Sequence, residues 1–509
     1  MILFRSFLIL RKLGDKKGSA LIVAYFVIVA LSAFGAAFAI MSANEVSVVE
    51  RQRKMSQAFA IAEAGIERAI YDLRQDFLND STGPSFSDGA INTFTIGPDT
   101  SNFYTIPYVS SVTSLGAGSF SVQLKNVAGS NDQVWIQSTG TVGGINQTLQ
   151  AYIKMVSVSP WANAIFAGAG ASGAAVNGNV NIRGSVHILG NGLDPSDFAV
   201  DLGGTAELVG NNYSGLAAGL AAKVPALPTT VFGGETVSTL DAKLRVKKGV
   251  VGVSGSSSVG ETNVAGNAVK ETIDAAYVTN GFGGTEGINH VYSDNGWSNG
   301  YDLGDTVVFP NLSDPYGGYA SYQAYLQANA LVVSNPADLS TLANMTPNSN
   351  FSFSDAKGSI AMDGSGNLTI SGIVYIDGGS LNINVDGSDK TITYTGSGSV
   401  LSTGNVGINV NLVTSGNNSF PSNIIGVMTP GTITFNEANI DVMGVFYAQT
   451  QITSQKQTDV VGTFVSNYFD MGTNVPSIFQ IPEVINHLPP GLIGQSGSWV
   501  TKVVSWQRL

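Results

Sequence analysis

Residues 19–44 form a run of 26 positions without a charged side chain, directly after a short basic segment that ends Lys16-Lys17-Gly18. About 20 apolar residues are enough for a helix to cross the hydrocarbon core of a bilayer. A cleaved secretory signal has a shorter apolar run that closes with a small-residue processing site. Here a helical pattern continues beyond the run instead. The sequence therefore predicts a helix that is anchored in a membrane and extends outward from it.

The charges on either side of this run predict its orientation. Residues 1–18 hold five basic side chains and one acidic side chain, whereas residues 45–54 mix both signs. Because positive charge is retained on the cytoplasmic side, we expect a single-pass protein of the inner (cytoplasmic) membrane with its C-terminal part outside. Small side chains crowd the apolar run and favour close helix–helix approach in lipid; they are Ala33, Gly35, Ala36, Ala37 and Ala39.

The helical pattern continues well past the apolar run. The first proline is Pro84, so nothing interrupts a helix before it. Apolar residues recur at steps of three and four, which predicts one buried stripe; they are Phe59, Ala62, Ile66, Ala69, Leu73 and Phe77. We therefore predict one transmembrane and assembly helix over 19–79, of which a globular domain covers only the outer half.

Three stretches of this region carry a family resemblance. The N-terminus of PilX-type minor pilins, which are type IV pilus-assembly proteins, resembles Lys17-Gly18-Ser19-Ala20-Leu21-Ile22-Val23, then Ser42-Ala43-Asn44-Glu45, and further on Ala58-Phe59-Ala60-Ile61-Ala62-Glu63-Ala64-Gly65-Ile66-Glu67-Arg68-Ala69. The resemblance covers roughly residues 12–80. It implies a prepilin leader, 1–18, cut between Gly18 and Ser19 by a prepilin peptidase. It also implies other pilins as partners, inner-membrane lipid around the helix, and final placement in a cell-surface pilus.

One position departs from the resemblance. Major pilins carry Glu five residues after the cut, where it pairs with the N-terminal ammonium of a neighbour, and Val23 stands there instead. An ammonium that is buried without its partner is costly. We therefore expect a low-copy subunit at the tip or at filament initiation. The alternative is a single-pass signal anchor with a juxtamembrane coiled coil. Pilus, secretion pseudopilus and DNA-uptake machinery all stay open.

Composition limits what the remaining chain can be. It has no Cys, so disulfides and thiolate metal sites are excluded, and 61 of its 509 residues are Gly. Only 12% of residues are charged, with a net charge of −12, which argues against nucleic acid as a partner. Frequent Gly and period-two segments favour short strands joined by tight turns. We predict an α+β, mostly β fold.

The chain beyond the helix divides by pattern. Residues 80–159 read as a pilin-like antiparallel sheet with a hairpin at Gly143-Gly144. Glycine-punctuated strands predict a parallel β-helix (solenoid) over 160–190 and 356–475, with a β-sandwich as the alternative. Between them, 191–355 read as a large insertion with short helices. The tail, 476–509, reads as a C-terminal cap in which Trp499 and Trp506 cover the end of the solenoid.

Catalytic and metal-binding patterns are weak. The histidines His187, His290 and His487 are scattered, and Gly296-Trp297-Ser298-Asn299-Gly300 lies among loop residues instead of in a nucleophile elbow. Acidic clusters at 294–305 and 377–389 favour solvated turns over calcium sites. We expect no catalysis, cofactor or metal. The alternatives are a tip adhesin that binds a glycan or surface and, less favoured, a β-helix enzyme that degrades polysaccharide.

Overall fold

The computed structural model describes residues 19–79, 86, 90–91, 94–95, 100–171, 179–388, 390–454, 456–471, 476–495 and 497–509. The predicted leader 1–18, including Gly18, and Asp389 of the second acidic cluster lie outside the described residues. The chain forms two compact units. The smaller unit comprises Met1–Val156 and Thr501–Leu509, and the larger unit comprises Ser157–Val500.

The smaller unit combines one long helix with an antiparallel sheet. Helix α1 spans Ser19–Asn79, as the sequence predicts, and the sheet order is β3-β5-β6-β7 followed by the C-terminal strand Ser498–Arg508. Strands β6 and β7 join through Gly143-Gly144, whose φ angles of +54° and +81° are those of a type I′ hairpin turn. The elements are β1 (Ala90–Ile91), β2 (Phe94–Thr95), β3 (Tyr104–Ile106), α2 (Ser110–Thr113), β4 (Ser114–Leu115), β5 (Gly118–Asn126), β6 (Gln133–Val142) and β7 (Ile145–Val158).

In the part of the chain that the structure describes, the larger unit is built from many strands, most of them short, and three short α-helices. Its strands are β8 (Ile165–Ala171), β9 (Asn181–Arg183), β10 (Val186–Ile188), β11 (Phe198–Leu202), β12 (Glu207–Gly210), β13 (Thr229–Phe232), β14 (Glu235–Ser238), β15 (Lys243–Val246), β16 (Val250–Val253), β17 (Ser258–Val259), β18 (Ala275–Val278), β19 (Phe282–Gly283), β20 (Leu331–Val333), β21 (Asn350–Ser354), β22 (Gly358–Asp363), β23 (Asn367–Ile376), β24 (Leu381–Ile383), β25 (Thr391–Thr395), β26 (Ser397–Ser402), β27 (Val406–Ile408), β28 (Asn411–Thr414), β29 (Ile424–Thr429), β30 (Thr432–Phe435), β31 (Ile440–Ser454), β32 (Thr458–Asp470) and β33 (Ser477–Phe479). Its α-helices are α3 (Ala218–Ala221), α4 (Tyr322–Asn329) and α5 (Pro336–Ala343), and all three lie in 191–355, where the sequence predicts short helices.

Parallel pairing dominates the larger unit. One series of parallel neighbours runs β20-β23-β26-β29-β31-β32-β8-β10-β15-β18. The chain enters this series in its middle, at β8, and proceeds to one end at β18. It then returns from the other end, β20, until β32 pairs with β8, with Phe464 opposite Ile165. Apolar side chains of successive strands fill one continuous core.

Two sequence-based boundaries are corrected by these pairings. Residues 191–355 are not an excursion from the strand series, because β12, β15, β17, β18 and β20 all lie in the same sheet as the strands on either side. These strands are only two to four residues long, too short to leave a clear period in the sequence. The predicted cap 476–509 is also wrong at its end. The strand Ser498–Arg508 pairs with β7, and the ring of Trp506 meets Phe59 of α1 edge to face at 5.8 Å.

A segment without regular strands connects the two ends of the parallel series. We call residues 301–330 the crossing segment. Its Phe309 ring stacks against Phe166 of β8, at a centroid distance of 6.4 Å, and against Tyr447 of β31, at 5.8 Å. The Tyr447 hydroxyl donates to the Pro310 carbonyl at 2.7 Å. Further along, Gln323 donates to the Tyr375 hydroxyl at 2.9 Å. The crossing segment therefore covers one face of the strand series.

Candidate assembly site

The first half of α1 is apolar and uncovered. Every residue from Ala20 to Val49 is exposed in the structure. Within Ala20–Phe77, this helix has the length and apolar composition needed to cross a membrane. Exposure of large apolar side chains to water is unfavourable, so this half is suited to an apolar surrounding. The most exposed of them include Leu21, Phe26, Phe34, Phe38 and Ile40.

A charged turn separates this half from the rest of the helix. Glu50 accepts hydrogen bonds from Arg53 at 2.8 and 2.9 Å, and Lys54 lies 3.5 Å from the same carboxylate. The hydrogen bond from Arg53 is the main reason why the pKa of Glu50 lies below its ordinary value. Ion pairs at spacings of three and four support a helix modestly. They separate the mostly uncharged first half of α1 from the half that packs on the sheet.

The second half of α1 buries one face against the sheet of the smaller unit. The buried stripe agrees with the helical spacing in the sequence, apart from Phe59, which is only half-buried. Close approach depends on Gly140 of β6, where a Cβ atom would lie 2.1 Å from the Ala58 carbonyl oxygen. The fully buried members of the stripe are Ala58, Ala62, Ile66, Ala69, Leu73 and Phe77.

Side chains at the edge of this face tie the helix to the sheet. Arg68 donates to Asp72 at 2.8 Å, and the Tyr108 hydroxyl donates to the same carboxylate at 2.9 Å. Burial, together with the bond to Asp72, raises the pKa of the Tyr108 hydroxyl. Tyr108 therefore stays protonated and keeps donating at physiological pH. The outer half of α1 is held at a fixed position on its sheet.

The predicted processing and assembly residues stand at the start of α1. Ser19 is its first residue, and Val23 follows one helical turn later with 59% of its surface exposed. The first turn contains no acidic residue. The cleavage between Gly18 and Ser19 stays a prediction because Gly18 lies outside the described residues.

The sequence-predicted loop and packing residues lie apart from this helix. His187 is buried against Phe166, with its Nε2 in contact with the Tyr301 hydroxyl. Ser298 accepts from the Gly300 amide at 3.1 Å, and His290 Nδ1 instead contacts the Ser257 carbonyl at 3.0 Å. Among the described residues, no hydrogen bond therefore joins Ser298 to a side chain that could act as its general base.

The first acidic cluster is largely neutralised by cations. Asp302 accepts two hydrogen bonds from Arg245, at 2.8 and 2.9 Å. Asp294 lies 2.7 Å from Lys270 Nζ. In the second cluster, Asp386 accepts from Asn348 at 3.0 Å. Across the described ranges, no three His, Asp or Glu side chains converge as a metal site.

Two contacts of the smaller unit are not predicted from the sequence, that of Gly140 with Ala58 and that of Trp506 with Phe59. Gly140 stands in an otherwise regular alternating strand, and a glycine inside a strand signals close backbone approach. Trp506 ends a period-two run, Val500–Trp506, that is compatible with sheet pairing. Neither signal identifies its partner, because Ala58 and Phe59 lie far away in the chain.

The chain was compared with known families, sequences and structures. No model of a known protein family matches it, and neither does any curated protein sequence. Among solved structures, it is similar to the competence-associated pilin ComZ from Thermus thermophilus, at 22% identity over 90% of this chain and 97% of that chain, with a TM-score of 0.49.

Proposed function

We propose that this protein is a minor, pilin-like structural subunit of a type IV pilus or related filament, of the PilX type. The observation that carries the proposal is the division of α1. Its first half is apolar and exposed, and its second half is packed on an antiparallel sheet. Such a helix has two suitable surroundings, the hydrocarbon of the inner membrane and a bundle of similar helices. A subunit whose helix moves from the membrane into a bundle of similar helices becomes part of a filament.

Val23 supports a low-copy position at the tip or at initiation. A filament that repeats one ion pair per subunit needs the acid in every copy, and α1 offers an apolar side chain instead. Next to Val23, the N-terminal ammonium of a neighbouring subunit would have no carboxylate partner. A subunit in the filament shaft has neighbours on both sides, so this loss disfavours a shaft position. The partners are then other pilins, the prepilin peptidase and membrane lipid.

The larger unit is proposed to be a parallel β-helix that the filament displays. Parallel in-register pairs over many short strands and one continuous apolar core support this fold. Its role is presentation of a surface, and no catalytic step is proposed. An adhesin that recognises a glycan or surface is the second candidate.

The N-terminus tests the filament proposal directly. The full chain is expressed with a prepilin peptidase, and its mature N-terminus is read by mass spectrometry. We expect a chain that begins at Ser19, because cleavage after Gly18 would release the basic leader. Gly18→Val should keep the leader, since a branched side chain hinders the scissile backbone. Gly35→Val is the matched control, and it should be processed like the unmodified chain.

Two outcomes contradict the proposal. One is an intact 1–18 segment in the presence of active peptidase. The other is trimming beyond Ala39, which would remove the exposed helix and leave a released soluble body. A further variant tests the low-copy position. Val23→Glu supplies the missing acid, so its amount in sheared filaments should exceed that of the unmodified chain, measured by quantitative immunoblotting.

A further inference from the structure

Tyrosines cluster around a tight turn in the crossing segment of the larger unit. Tyr316 and Tyr319 pair across Gly317-Gly318, whose φ angles of +55° and +85° fit a type I′ turn. Tyr316 also meets Tyr322 and Tyr325 edge to face, with ring centroids 4.7 and 4.8 Å apart. The turn and these ring contacts fix the position of the exposed Tyr316 ring.

A small pocket opens beside this cluster. Its volume of about 170 Å³ is close to that of a cavity of roughly 150 Å³ that accommodates one benzene ring. The pocket is therefore of a size to take one six-membered ring. Its lining includes Pro310, Asp314, Tyr316, Tyr322 and Gln495.

The lining places an apolar wall next to polar groups. Tyr316 is 42% exposed, so part of its ring is open to a ligand. Tyr322 is buried, and its hydroxyl lies within hydrogen-bond distance of two backbone carbonyls, at 3.2 and 3.3 Å. The Asp314 carboxylate is anchored by the Asn311 amide, which donates to it at 3.1 Å. A carboxylate has about four acceptor positions, so Asp314 retains capacity to accept from ligand hydroxyls.

These features match one class of ligand. A pyranose presents an apolar C–H face to an aromatic ring and a rim of hydroxyl donors to a carboxylate. Among the described residues that line the pocket there is no Lys or Arg, and Asp314 is the one charged group. An anionic sugar would therefore be repelled. We propose that this pocket binds a single ring of a neutral saccharide, stacked on Tyr316 and hydrogen-bonded to Asp314. This inference does not depend on the filament proposal, because all of its residues lie in the larger unit.

The test uses the full chain in a detergent without a sugar headgroup. Methyl glycosides of glucose, galactose, mannose and N-acetylglucosamine are the probes, and glucuronic acid is the anionic comparison. Saturation-transfer NMR and titration calorimetry measure binding. We expect saturable binding of at least one neutral probe, weakened at least about tenfold by Tyr316→Ala and by Asp314→Asn, which removes a charged acceptor. Tyr316→Phe should retain affinity to within about threefold, because stacking needs only the ring.

Tyr468→Ala is the matched control, because Tyr468 is 41% exposed but does not line the pocket. It should bind as the unmodified chain does. The proposal is overturned if no neutral probe binds, if glucuronic acid binds as tightly as the neutral probes, or if Tyr316→Ala leaves affinity unchanged. Loss of binding in Tyr468→Ala also overturns it. Should Tyr316→Ala fail to fold by circular dichroism, unchanged affinity in Asp314→Asn is the overturning result.

Discussion

The two units of this chain pair most of their strands differently, antiparallel in the smaller unit and mainly parallel in the larger unit. In the smaller unit, β5, β6 and β7 follow one another in the chain and pair antiparallel through short turns. In the larger unit, the pairing between β8 and β32 joins Ile165 to Phe464, which lie near opposite ends of that unit's sequence. The hairpin pairing of the smaller unit is local, although the strand Ser498–Arg508 joins the same sheet at β7 from far away in the chain. The pairing of β8 with β32 exists only after most of the larger unit has been made.

This difference determines what each unit depends on. A hairpin sheet forms from nearby residues with little loss of loop entropy, but it must cover one face with α1. The parallel series gains its core only when distant strands meet. The crossing segment then contacts strands on both sides of that meeting point. Stability in the smaller unit therefore rests on the helix–sheet contact, and stability in the larger unit rests on long-range closure.

The largest effect is expected from Gly140→Val, which attacks the helix–sheet contact. Added carbon atoms would meet the backbone of α1 at Ala58 and Ala62, at 2.1 and 2.6 Å, and backbone atoms cannot turn aside as a flexible side chain can. Overpacking that neighbouring side chains can absorb typically costs about 1–3 kcal/mol. Here the helix backbone itself would have to move, so we expect a cost above the value of about 3–5 kcal/mol that is typical of truncating a buried Phe. We expect the smaller unit to fail to fold while the larger unit remains intact, detected by limited proteolysis of the full chain in detergent.

Gly35→Val is the control for that substitution. Gly35 lies in the exposed half of α1, with no atom within 4 Å of an added Cβ, so the protease pattern of Gly35→Val should match that of the unmodified chain. Protection of the smaller unit in Gly140→Val would refute the idea that close helix–sheet approach holds it together.

A smaller effect is expected from Phe309→Ala, which attacks long-range closure. Phe309 is 5% exposed and stacks on both Phe166 and Tyr447. Truncating a buried Phe typically costs about 3–5 kcal/mol, less where neighbours relax into the space. We expect a lower thermal unfolding temperature for the larger unit alone, measured by calorimetry. Val308→Ala, at a neighbouring position that is 63% exposed, should change little. Equal decreases of the unfolding temperature in the two variants would contradict the idea that the crossing segment stabilises the parallel strand series.

The same contrast explains how much of the molecule can be predicted from its sequence. Local signals were sufficient for α1, whose span Ser19–Asn79 follows from uninterrupted helical spacing, and for the turn at Gly143-Gly144. Local signals did not predict the strand pairing of residues 191–355 or the contact of Trp506 with α1. The partners of these residues lie far away in the chain, and a strand of three residues does not indicate which other strand it joins.

The candidate assembly site divides in the same way. The exposure of the first half of α1 can be predicted from the sequence. A helix that includes 26 consecutive uncharged residues and continues beyond them is too long for a small sheet to cover. The buried stripe follows from its period. The saccharide pocket does not, because its lining residues come from distant stretches, such as Asp314 and Gln495. The assembly role of Val23 stays a prediction.

The smallest effect concerns pH and the buried His187. Burial, and then the positive charges of Arg245 and Lys247, hold the pKa of His187 well below its usual 6.5. The folded state therefore binds no proton there at pH values where the unfolded chain does. Stability should be level above about pH 6.5 and should fall as pH decreases below it, by up to about 1.4 kcal/mol per pH unit from this one group.

His187→Gln removes the titrating group and retains a side chain that can hydrogen-bond to the Tyr301 hydroxyl. The difference in unfolding temperature of the larger unit between pH 7 and pH 5.5 should therefore be smaller in this variant than in the unmodified chain. His487→Gln, at an exposed position, should leave the difference as it is. Because other groups titrate equally in all three proteins, identical pH profiles for His187→Gln and the unmodified chain would mean that His187 takes up its proton without opening the crossing segment. The crossing segment would then pack less tightly against the strands around His187 than the ring contacts of Phe309 indicate.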